Sequence, residues 1–341
     1  MNGVQRIRAA LAGEWPDRRP VMLHNFMMAA REAGISMRSF RSSPEALARA
    51  FVQSVERYRY DGVLVDMDTA TLAGAVGVPI QFPEDEPAVV SGQLLTRLEQ
   101  VDDLEPVNLA HYEGVQVWLE GVRLLKKTIG TEIYIRGNCD QAPFSLAAMM
   151  RGMEDFLTDI LDPEAEERVT RLLDYALEVG TSFLKLMAAT GAHMVSNGDS
   201  TSGTSVISPR LHRKFAHPSE KRMAEAARSL GLPWALHVCG KTDLILADLV
   251  ATGADALELD YETDIRQAHD ALAGRSTFIG NLDPSNILAH GSVSDVERAT
   301  RELIHAFSDT PRFILNAGCA IPAETPSENI HAIVRVATEP N

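Results

Sequence analysis

Short apolar runs rich in β-branched residues alternate with stretches of helical spacing along most of this sequence. Apolar side chains at every second position predict strands, and apolar side chains that recur every three to four residues predict helices. Eight runs have the length and composition of strands: residues 20–26, 62–68, 132–138, 193–197, 233–239, 256–260, 277–281 and 312–316. Strands that alternate with helices in this way are expected to lie parallel in one sheet.

The number of repeated units favours a closed barrel. Most strands are followed by a stretch with helical spacing: residues 45–58, 143–161, 208–230, 241–252, 264–273, 293–307 and 326–337. We therefore predict a (β/α)8 TIM barrel, because the competing doubly wound sheet usually has fewer strands and no glycine-rich dinucleotide motif follows the first strand. No linker, internal repeat or low-complexity tract divides the chain, so residues 1–341 are predicted to form a single domain.

Two segments are longer than a simple barrel needs and give the predicted barrel an extended N-terminal half. Residues 69–131 contain a predicted hairpin over residues 76–90 and a predicted helix near residues 109–127. Residues 163–190 are predicted to form one long helix that begins after Asp162. Both segments are expected to extend over the rim of the barrel.

Composition and charge exclude several classes of function. The chain has 32 Lys and Arg against 47 Asp and Glu, a formal net charge of −15, so nucleic acid is not expected as a partner. No apolar stretch is long enough for a membrane helix, and the charged start of the chain does not resemble a signal peptide. The 3 cysteines, an odd number, predict free thiols in a reducing compartment, and we expect a cytoplasmic protein.

Polar side chains cluster where the predicted strands end. Each ending carries a pair: His24 and Asn25, Asp66 and Asp68, Asn138 and Cys139, Asn197 and Asp199, His237 and Cys239, Glu258 and Asp260, Asn281 and Asp283, Asn316 and Cys319. Chemistry in barrels of this type lies at this end of the strands, so the endings together predict a polar pocket. Any single Asn or Asp here could instead cap a helix or form a turn.

Three of these side chains have the chemistry of a zinc site. His237 and Cys239 are separated by one strand residue and therefore face the same side, and Cys319 comes just after the last strand. One imidazole and two thiolates match the ligands that zinc prefers, with a fourth position left for water or substrate. The alternative is that all three fill the core, because cysteine is among the most buried residue types.

Two other interpretations of the same stretch are less favoured. The letters GKT at 240–242 resemble the end of a phosphate-binding loop, but that loop requires glycine at position 235, where this chain has Ala235. A Cys/His nucleophile pair is a further alternative. Same-facing neighbours on one strand, however, suit joint coordination of a metal better than proton transfer from a thiol that attacks substrate.

The motifs around these residues resemble the uroporphyrinogen decarboxylase superfamily, in its zinc methyltransferase branch, which includes the methylcobamide:coenzyme M methyltransferases. In the first half of the chain the resemblance is mainly at residues 62–89, where Asp66 falls on the strand-end aspartate of the superfamily. In the second half it rests on LHVCGKT (236–242), GADALELD (253–260), FIGNLDP (278–284) and FILNAGCAIPAETPSENI (313–330), with weaker support from GDSTSGTSVISPRLHRKF (198–215).

This resemblance implies a (β/α)8 barrel in which His237, Cys239 and Cys319 are the zinc ligands. It disfavours the decarboxylases themselves, whose arginine-containing stretch is replaced here by PVMLHNFMMAAREAG at residues 20–34. The implied activity is methyl transfer between a corrinoid and a small thiol or methylated substrate, with zinc activating the thiol. The chain has no corrinoid-binding motif of the Asp-x-His-x-x-Gly type, so methylcobalamin or a related corrinoid is expected on a separate protein.

The other strand-end residues have candidate roles around the predicted zinc site. Glu258 and Asp199 are candidate catalytic residues, and Glu258 or Asp260 is a candidate fourth zinc ligand or partner of His237. The candidate substrate-binding residues are His24, Asp66, Asn197, Asp260, Asn281 and Asn316. Two further hypotheses stay open: a lyase that acts on a tetrapyrrole carboxylate, and a catalytically silent barrel that binds a corrinoid partner.

Overall fold

The computed structural model describes residues 1–339 and contains ten strands. Pro340 and Asn341, the last residues of the predicted domain 1–341, lie outside the described residues. In chain order the strands are β1 (Met22–Leu23), β2 (Gly62–Val65), β3 (Ile80–Gln81), β4 (Val89–Val90), β5 (Tyr134–Gln141), β6 (Met194–Gly198), β7 (Trp234–Val238), β8 (Ala256–Leu259), β9 (Thr277–Leu282) and β10 (Phe313–Ala317).

Eight of these strands form one parallel sheet, in the order β1-β2-β5-β6-β7-β8-β9-β10. A parallel bridge between Val21 and Leu315 joins the first strand to the last, and the Leu315 amide donates to the carbonyl of Pro20 at 2.9 Å. The sheet therefore closes into the predicted (β/α)8 barrel. The two remaining strands, β3 and β4, pair antiparallel as the predicted hairpin over residues 76–90.

Helices surround the sheet and also close its ends. They are α1 (Gly3–Ala12), α2 (Phe26–Glu32), α3 (Met37–Ser42), α4 (Pro44–Tyr58), α5 (Thr71–Ala75), α6 (Glu113–Thr128), α7 (Pro143–Arg151), α8 (Met153–Asp159), α9 (Glu166–Ala188), α10 (Pro209–Leu211), α11 (His217–Ser229), α12 (Leu246–Ala251), α13 (Ile265–Leu272), α14 (Val293–Ala306) and α15 (Ser327–Thr338). Short 3-10 or π-helical turns cover Leu98–Asp103, Leu109–His111, His212–Ala216, Asp243–Ile245 and Pro284–Ala289. Within residues 1–339, no helix combines the length and the apolar character that crossing a lipid bilayer requires.

The main differences from the predicted elements are short helices. The helix predicted over residues 143–161 is two helices, α7 and α8, because Gly152 adopts a positive φ of 84° between them. The sequence patterns did not predict α1, α2, α3 or α5. The predicted helices near 109–127 and over 163–190 are confirmed as α6 and α9.

The barrel interior changes from apolar to polar along the strands. At the amino end, Val4, Ile7 and Ala10 of α1 pack against inward-facing strand residues in one apolar cluster. The strand residues of this cluster are Met22, Tyr134, Met194, Ala235, Ala256, Ile279 and Ile314. Because side chains alternate across a strand, the residues two positions further along face the same interior. These residues are polar or charged: His24, Arg136, Ser196, His237, Glu258, Asn281 and Asn316. The polar layer lies toward the carboxyl end of the strands.

A buried ion-pair cluster holds the amino end together. The Asp61 carboxylate accepts two hydrogen bonds from Arg18, at 2.7 and 2.9 Å, and one from Arg6 at 2.9 Å. It also accepts the Val21 amide at 2.9 Å. Only 2% of the Asp61 side chain is exposed, so its charge depends on these donors. The cluster ties α1 to the segments that lead into β1 and β2.

Candidate functional site

The three predicted zinc ligands lie together at the carboxyl end of the barrel. His237 is on β7, Cys239 follows that strand directly, and Cys319 follows β10. Their ligand atoms all lie within 4.8 Å of one another, and His237 Nε2 is 3.1 Å from Cys239 Sγ. Within residues 1–339 they form the one group of three or more His, Cys, Asp or Glu side chains close enough to share a metal ion.

Two glycines shape the turns that carry the cysteines. Gly240, directly after Cys239, has a positive φ of 71°, which glycine adopts without the steric cost of a side chain. Gly318, directly before Cys319, packs so tightly that a Cβ atom there would collide with the main-chain nitrogen of Tyr261. Its amide donates to the Leu282 carbonyl at 2.8 Å. The turn after β10 is thus held against the ends of β8 and β9.

The donor set fits a zinc ion. Burial alone would lower the pKa of His237, but hydrogen bonding to Cys319 and the charge of Glu258 raise this pKa to about 9. Hydrogen bonding with Cys319 lowers the pKa of Cys239, while the same contact and burial raise the pKa of Cys319 to about 12. The three groups therefore shift one another's pKa through direct contact. One nitrogen and two sulfur donors are the set found in catalytic zinc sites that keep an open fourth position.

Glu258 on β8 is the register partner of His237 on β7, and both belong to the polar layer. Its carboxylate accepts one hydrogen bond from Arg136 at 2.5 Å and one from Asn316 at 2.7 Å. Burial would raise the pKa of Glu258, but the positive charges of Arg136 and His237 outweigh burial and lower it. Both carboxylate oxygens are engaged, so the predicted catalytic role of Glu258 is less well supported than a positioning role. Its main-chain carbonyl is 3.1 Å from His237 Nδ1.

His24 and Asp66 form a second part of the same hydrogen-bonded network. His24 Nε2 is 2.7 Å from Asp66 Oδ2, and Asn138 donates to the other carboxylate oxygen at 3.0 Å. The His24 amide donates to Asn316 Oδ1 at 3.0 Å. His24 Nδ1 is buried and has no partner in the described structure. The network thus connects His24 and Asp66 through Asn316 to Glu258.

Asp260 and Asn281 order the loop that follows β8. The Asn281 amide donates to the carbonyls of Asp260 and Thr263, at 3.1 and 3.3 Å. The Asp260 carboxylate accepts the Glu262 amide at 3.1 Å. Both side chains therefore lie at the predicted end of the barrel, and each already forms hydrogen bonds with the main chain of this loop.

Two predicted site residues face away from the barrel interior. Asn197 donates to the Cys139 carbonyl at 2.8 Å and accepts the Trp234 indole N–H at 3.0 Å, and it is fully buried. It shares its face of β6 with Val195, whose side chain belongs to the core between sheet and helices. Both the nitrogen and the oxygen of its side-chain amide therefore already have hydrogen-bond partners within the protein, which argues against the predicted role in substrate binding.

Asp199 lies just beyond the end of β6 and points toward α7. One of its carboxylate oxygens accepts the amide and the hydroxyl of Ser145, at 2.9 and 2.5 Å. Burial, followed by repulsion from Glu220, raises the pKa of Asp199 to about 8. The Asp199 side chain is fully enclosed, so the structure gives it no route to a substrate and speaks against the predicted catalytic role.

Arg136 belongs to the site but was not predicted from the sequence. It is almost fully buried in the middle of β5, two residues before Asn138 on the same face. A lone arginine inside an apolar strand is a detectable signal, because a buried charge needs a partner. The identity of that partner, Glu258, depends on the closure of the barrel.

Comparisons with known proteins identify relatives over most of the chain. Methylcobamide:CoM methyltransferase MtbA of Methanosarcina acetivorans is 29% identical over 82% of this chain and 79% of its own. Uroporphyrinogen decarboxylase of Thermus thermophilus is 28% identical over 98% of this chain and 97% of its own. The solved structure of a methyltransferase from Methanosarcina mazei matches with a TM-score of 0.90 and 21% identity, over 99% of this chain and 98% of that one.

The family model described as uroporphyrinogen decarboxylase (URO-D) matches residues 3–340. Together with the methyltransferase relatives, this match confirms the predicted family and the predicted class, an enzyme of the methyltransferase type. The solved methyltransferase structure confirms the predicted barrel. The chain belongs to the uroporphyrinogen decarboxylase (URO-D) family.

Proposed function

We propose that this chain transfers a methyl group between a corrinoid held on a separate protein and a small thiol or methylated substrate, with zinc bound by His237, Cys239 and Cys319. The observation that carries the proposal is the meeting of these three donors, within 4.8 Å, at the carboxyl end of the barrel. That end is where barrels of this type carry their chemistry. We further propose that residues 1–341 form one domain.

The residues around the three donors support such a site. Zinc bound there would supply a Lewis acid that favours the thiolate form of a bound thiol at neutral pH. The ion pair of Glu258 with Arg136 joins β8 to β5 across the barrel interior, and the Glu258 carbonyl accepts from His237 Nδ1, which leaves Nε2 on the cysteine side. With Nδ1–H directed at this carbonyl, Nε2 is the ring nitrogen that would bind zinc, in place of the proton that it carries in the metal-free site.

His24 and Asp66 are proposed to position the substrate. Asp66 holds His24 through Nε2, and the buried Nδ1 of His24 has no hydrogen-bond partner in residues 1–339, so a polar group of the substrate could satisfy it only if the site opens. Asp260 and Asn281 shape the neighbouring loop, and Asn316 connects that side of the site to Glu258. In this proposal Glu258 acts as a positioning residue, and Asn197 and Asp199 support the fold.

A separate corrinoid protein is the proposed methyl carrier. This chain lacks the Asp-x-His-x-x-Gly motif, while relatives of the chain are named methylcobamide:CoM methyltransferases. The three cysteines are free thiols, which agrees with the predicted reducing compartment. The cytoplasmic location stays a prediction.

A lyase acting on a tetrapyrrole carboxylate is the second candidate. It is favoured by the uroporphyrinogen decarboxylase of Thermus thermophilus, which matches this chain over nearly its full length. It is disfavoured by residues 20–34, which lack the arginines of the decarboxylases, and by the metal-type donor set at the barrel mouth.

Metal analysis combined with methylcobalamin turnover tests the proposal. We expect about one zinc per chain and methyl transfer to at least one of a small panel of thiols. Cys239→Ser and Cys319→Ser should each lose the metal and reduce turnover by roughly a hundredfold or more. The matched control is Cys139→Ala, which removes a buried cysteine outside the site and should keep the metal.

Different outcomes separate the candidates. A protein that binds zinc but methylates no thiol would favour transfer from a methylated substrate onto the corrinoid. A protein that binds no metal and decarboxylates uroporphyrinogen would contradict the proposal in favour of the lyase.

A further inference from the structure

A second group of ionisable side chains lies at the opposite end of the barrel. A cavity of about 550 Å³ opens beneath the amino ends of β5 to β8, a size typical of small-molecule sites. Arg8 of α1, Lys126 of α6 and His193 before β6 line it. In the part of the chain that the structure describes, none of these three forms an ion pair with a carboxylate. Three basic side chains and one carboxylate, Asp255, line this cavity, whereas the chain as a whole carries a net charge of −15.

The hydrogen bonds of His193 expose a mismatch in this cavity. The Ile135 amide donates to His193 Nδ1 at 2.9 Å, so a neutral ring carries its proton on Nε2. The nearest partner of Nε2 is Lys126 Nζ, and an ammonium is also a donor. Two donors therefore face each other without an acceptor between them.

Electrostatics agree with the mismatch. Burial, followed by repulsion from Arg8, lowers the pKa of Lys126. Burial, followed by repulsion from Lys126 and Arg8, lowers the pKa of His193 to about 4. The one carboxylate that lines the cavity, Asp255, has an oxygen engaged by the Trp234 amide at 2.9 Å. An added acceptor with negative charge would relieve both the repulsion and the donor conflict.

We propose that this cavity binds a phosphate-type oxyanion, either free or as a phosphomonoester. Its oxygens would accept from His193 Nε2–H and from Lys126, once that flexible side chain moves aside, and from the guanidinium of Arg8. The local positive field in an otherwise acidic protein favours anion capture at this place. This site is independent of the proposed methyl transfer, because it lies at the end of the barrel opposite the cysteines.

Lysine footprinting on the unmodified protein tests the proposal directly. An amine-reactive reagent is applied with and without inorganic phosphate, and labelling is measured by mass spectrometry. We expect phosphate to slow labelling of Lys126 at least fivefold and to leave Lys127 unchanged. Lys127 is the matched internal control, because it is the next residue on α6 and is exposed. Sodium chloride at the same ionic strength should protect neither residue.

Calorimetric titration of variants gives a second measurement. Lys126→Met should weaken phosphate binding at least tenfold, Lys127→Met should change it less than twofold, and Lys126→Arg should retain it. Stronger binding of glycerol phosphate than of inorganic phosphate identifies a phosphomonoester as the ligand, and the reverse identifies the free ion. Equal protection by chloride, equal protection of Lys127, or no protection of Lys126 at 10 mM phosphate (roughly a weak-binding limit) would overturn the proposal.

Discussion

Asp61 and Glu258 are both buried carboxylates held by arginine, and they lie at opposite ends of the barrel. Asp61 receives two arginines and a main-chain amide, and no metal-type donor is among its hydrogen-bond partners in residues 1–339. Glu258 receives one arginine and one amide side chain, and it shares its region with three metal-type donors. The comparison indicates that the amino-end charge fixes the fold, whereas the carboxyl-end charge supports the proposed chemistry.

The largest expected effect is on stability at the amino end. Asp61→Ala should lower the free energy of unfolding by about 3–5 kcal/mol, because Arg6 and Arg18 lose their buried counter-charge. Urea denaturation measures this change, and zinc content should stay the same. Asp17→Ala is the control, since Asp17 also pairs with Arg6 but is exposed, and it should cost less than about 1 kcal/mol. Equal losses in the two variants would refute the assignment.

The next effect concerns the turn before Cys319. Gly318→Ala should lower the free energy of unfolding by about 1–3 kcal/mol and reduce zinc occupancy, because the new Cβ would collide with the backbone of Tyr261. Denaturation and metal analysis measure the two changes. Gly198→Ala is the control near the same site, since the nearest atom to its Cβ would be 3.6 Å away. If Gly318→Ala kept full occupancy, the turn would be less constrained than its packing indicates.

A smaller effect is expected from the carboxylate beneath the site. Glu258→Gln should weaken zinc binding by about 10- to 100-fold, because Arg136 would then face the metal site without a counter-charge. Competition with a chelator measures the affinity. Glu262→Gln removes the same charge from an exposed position nearby and should leave affinity unchanged. A similar loss in both variants would point to the general field of the protein and away from Glu258.

The smallest effect is a pH dependence at the amino end. The pKa of His193 is about 4 in the folded protein, below its ordinary value of 6.5, so the unfolded chain binds this proton more readily. The stability contribution is complete above pH 6.5 and is lost as pH falls toward 4. We therefore expect the stability advantage of the wild type over His193→Gln to shrink by about 1 kcal/mol between pH 7 and pH 5.5.

Denaturation in phosphate-free buffer checks this prediction. His305→Gln is the control, because it removes an imidazole from an exposed position, and its effect should stay within about 0.5 kcal/mol at both pH values. An advantage that grows as the pH falls would contradict the neutral state of His193.

Much of the fold follows from local sequence patterns. All eight barrel strands, the hairpin and the long α9 match their predicted places, because apolar periodicity reports burial directly. The helix α1 was missed although Asn2 and Gln5 form a capping box and Gly13 ends the helix, a signal that the sequence does contain. The short helices α2, α3 and α5 span too few turns for their spacing to be recognised.

The site was less predictable than the fold. The parity of β7 places His237 and Cys239 together. The place of Cys319 just after the last strand made it the candidate third ligand, and the family resemblance supported this, but its position beside the other two depends on barrel closure. The same alternation of side chains would have predicted that Asn197 faces away from the interior, because its neighbour Ser196 faces the interior. Asp199 lies beyond its strand, where the local pattern no longer sets direction. The pairing of Arg136 with Glu258 joins strands far apart in sequence, and no local pattern reports it.

The seam between β1 and β10 has a consequence for biosynthesis. The strand β1 pairs with β10 only when Leu315 contacts Val21 and Pro20, so a ribosome-bound chain keeps one edge of β1 unpaired until residue 315 has emerged. Contacts between such distant segments also slow folding. Because Asn316 on β10 contacts both His24 and Glu258, the barrel and the hydrogen-bonded network of the candidate site are completed in the same late step.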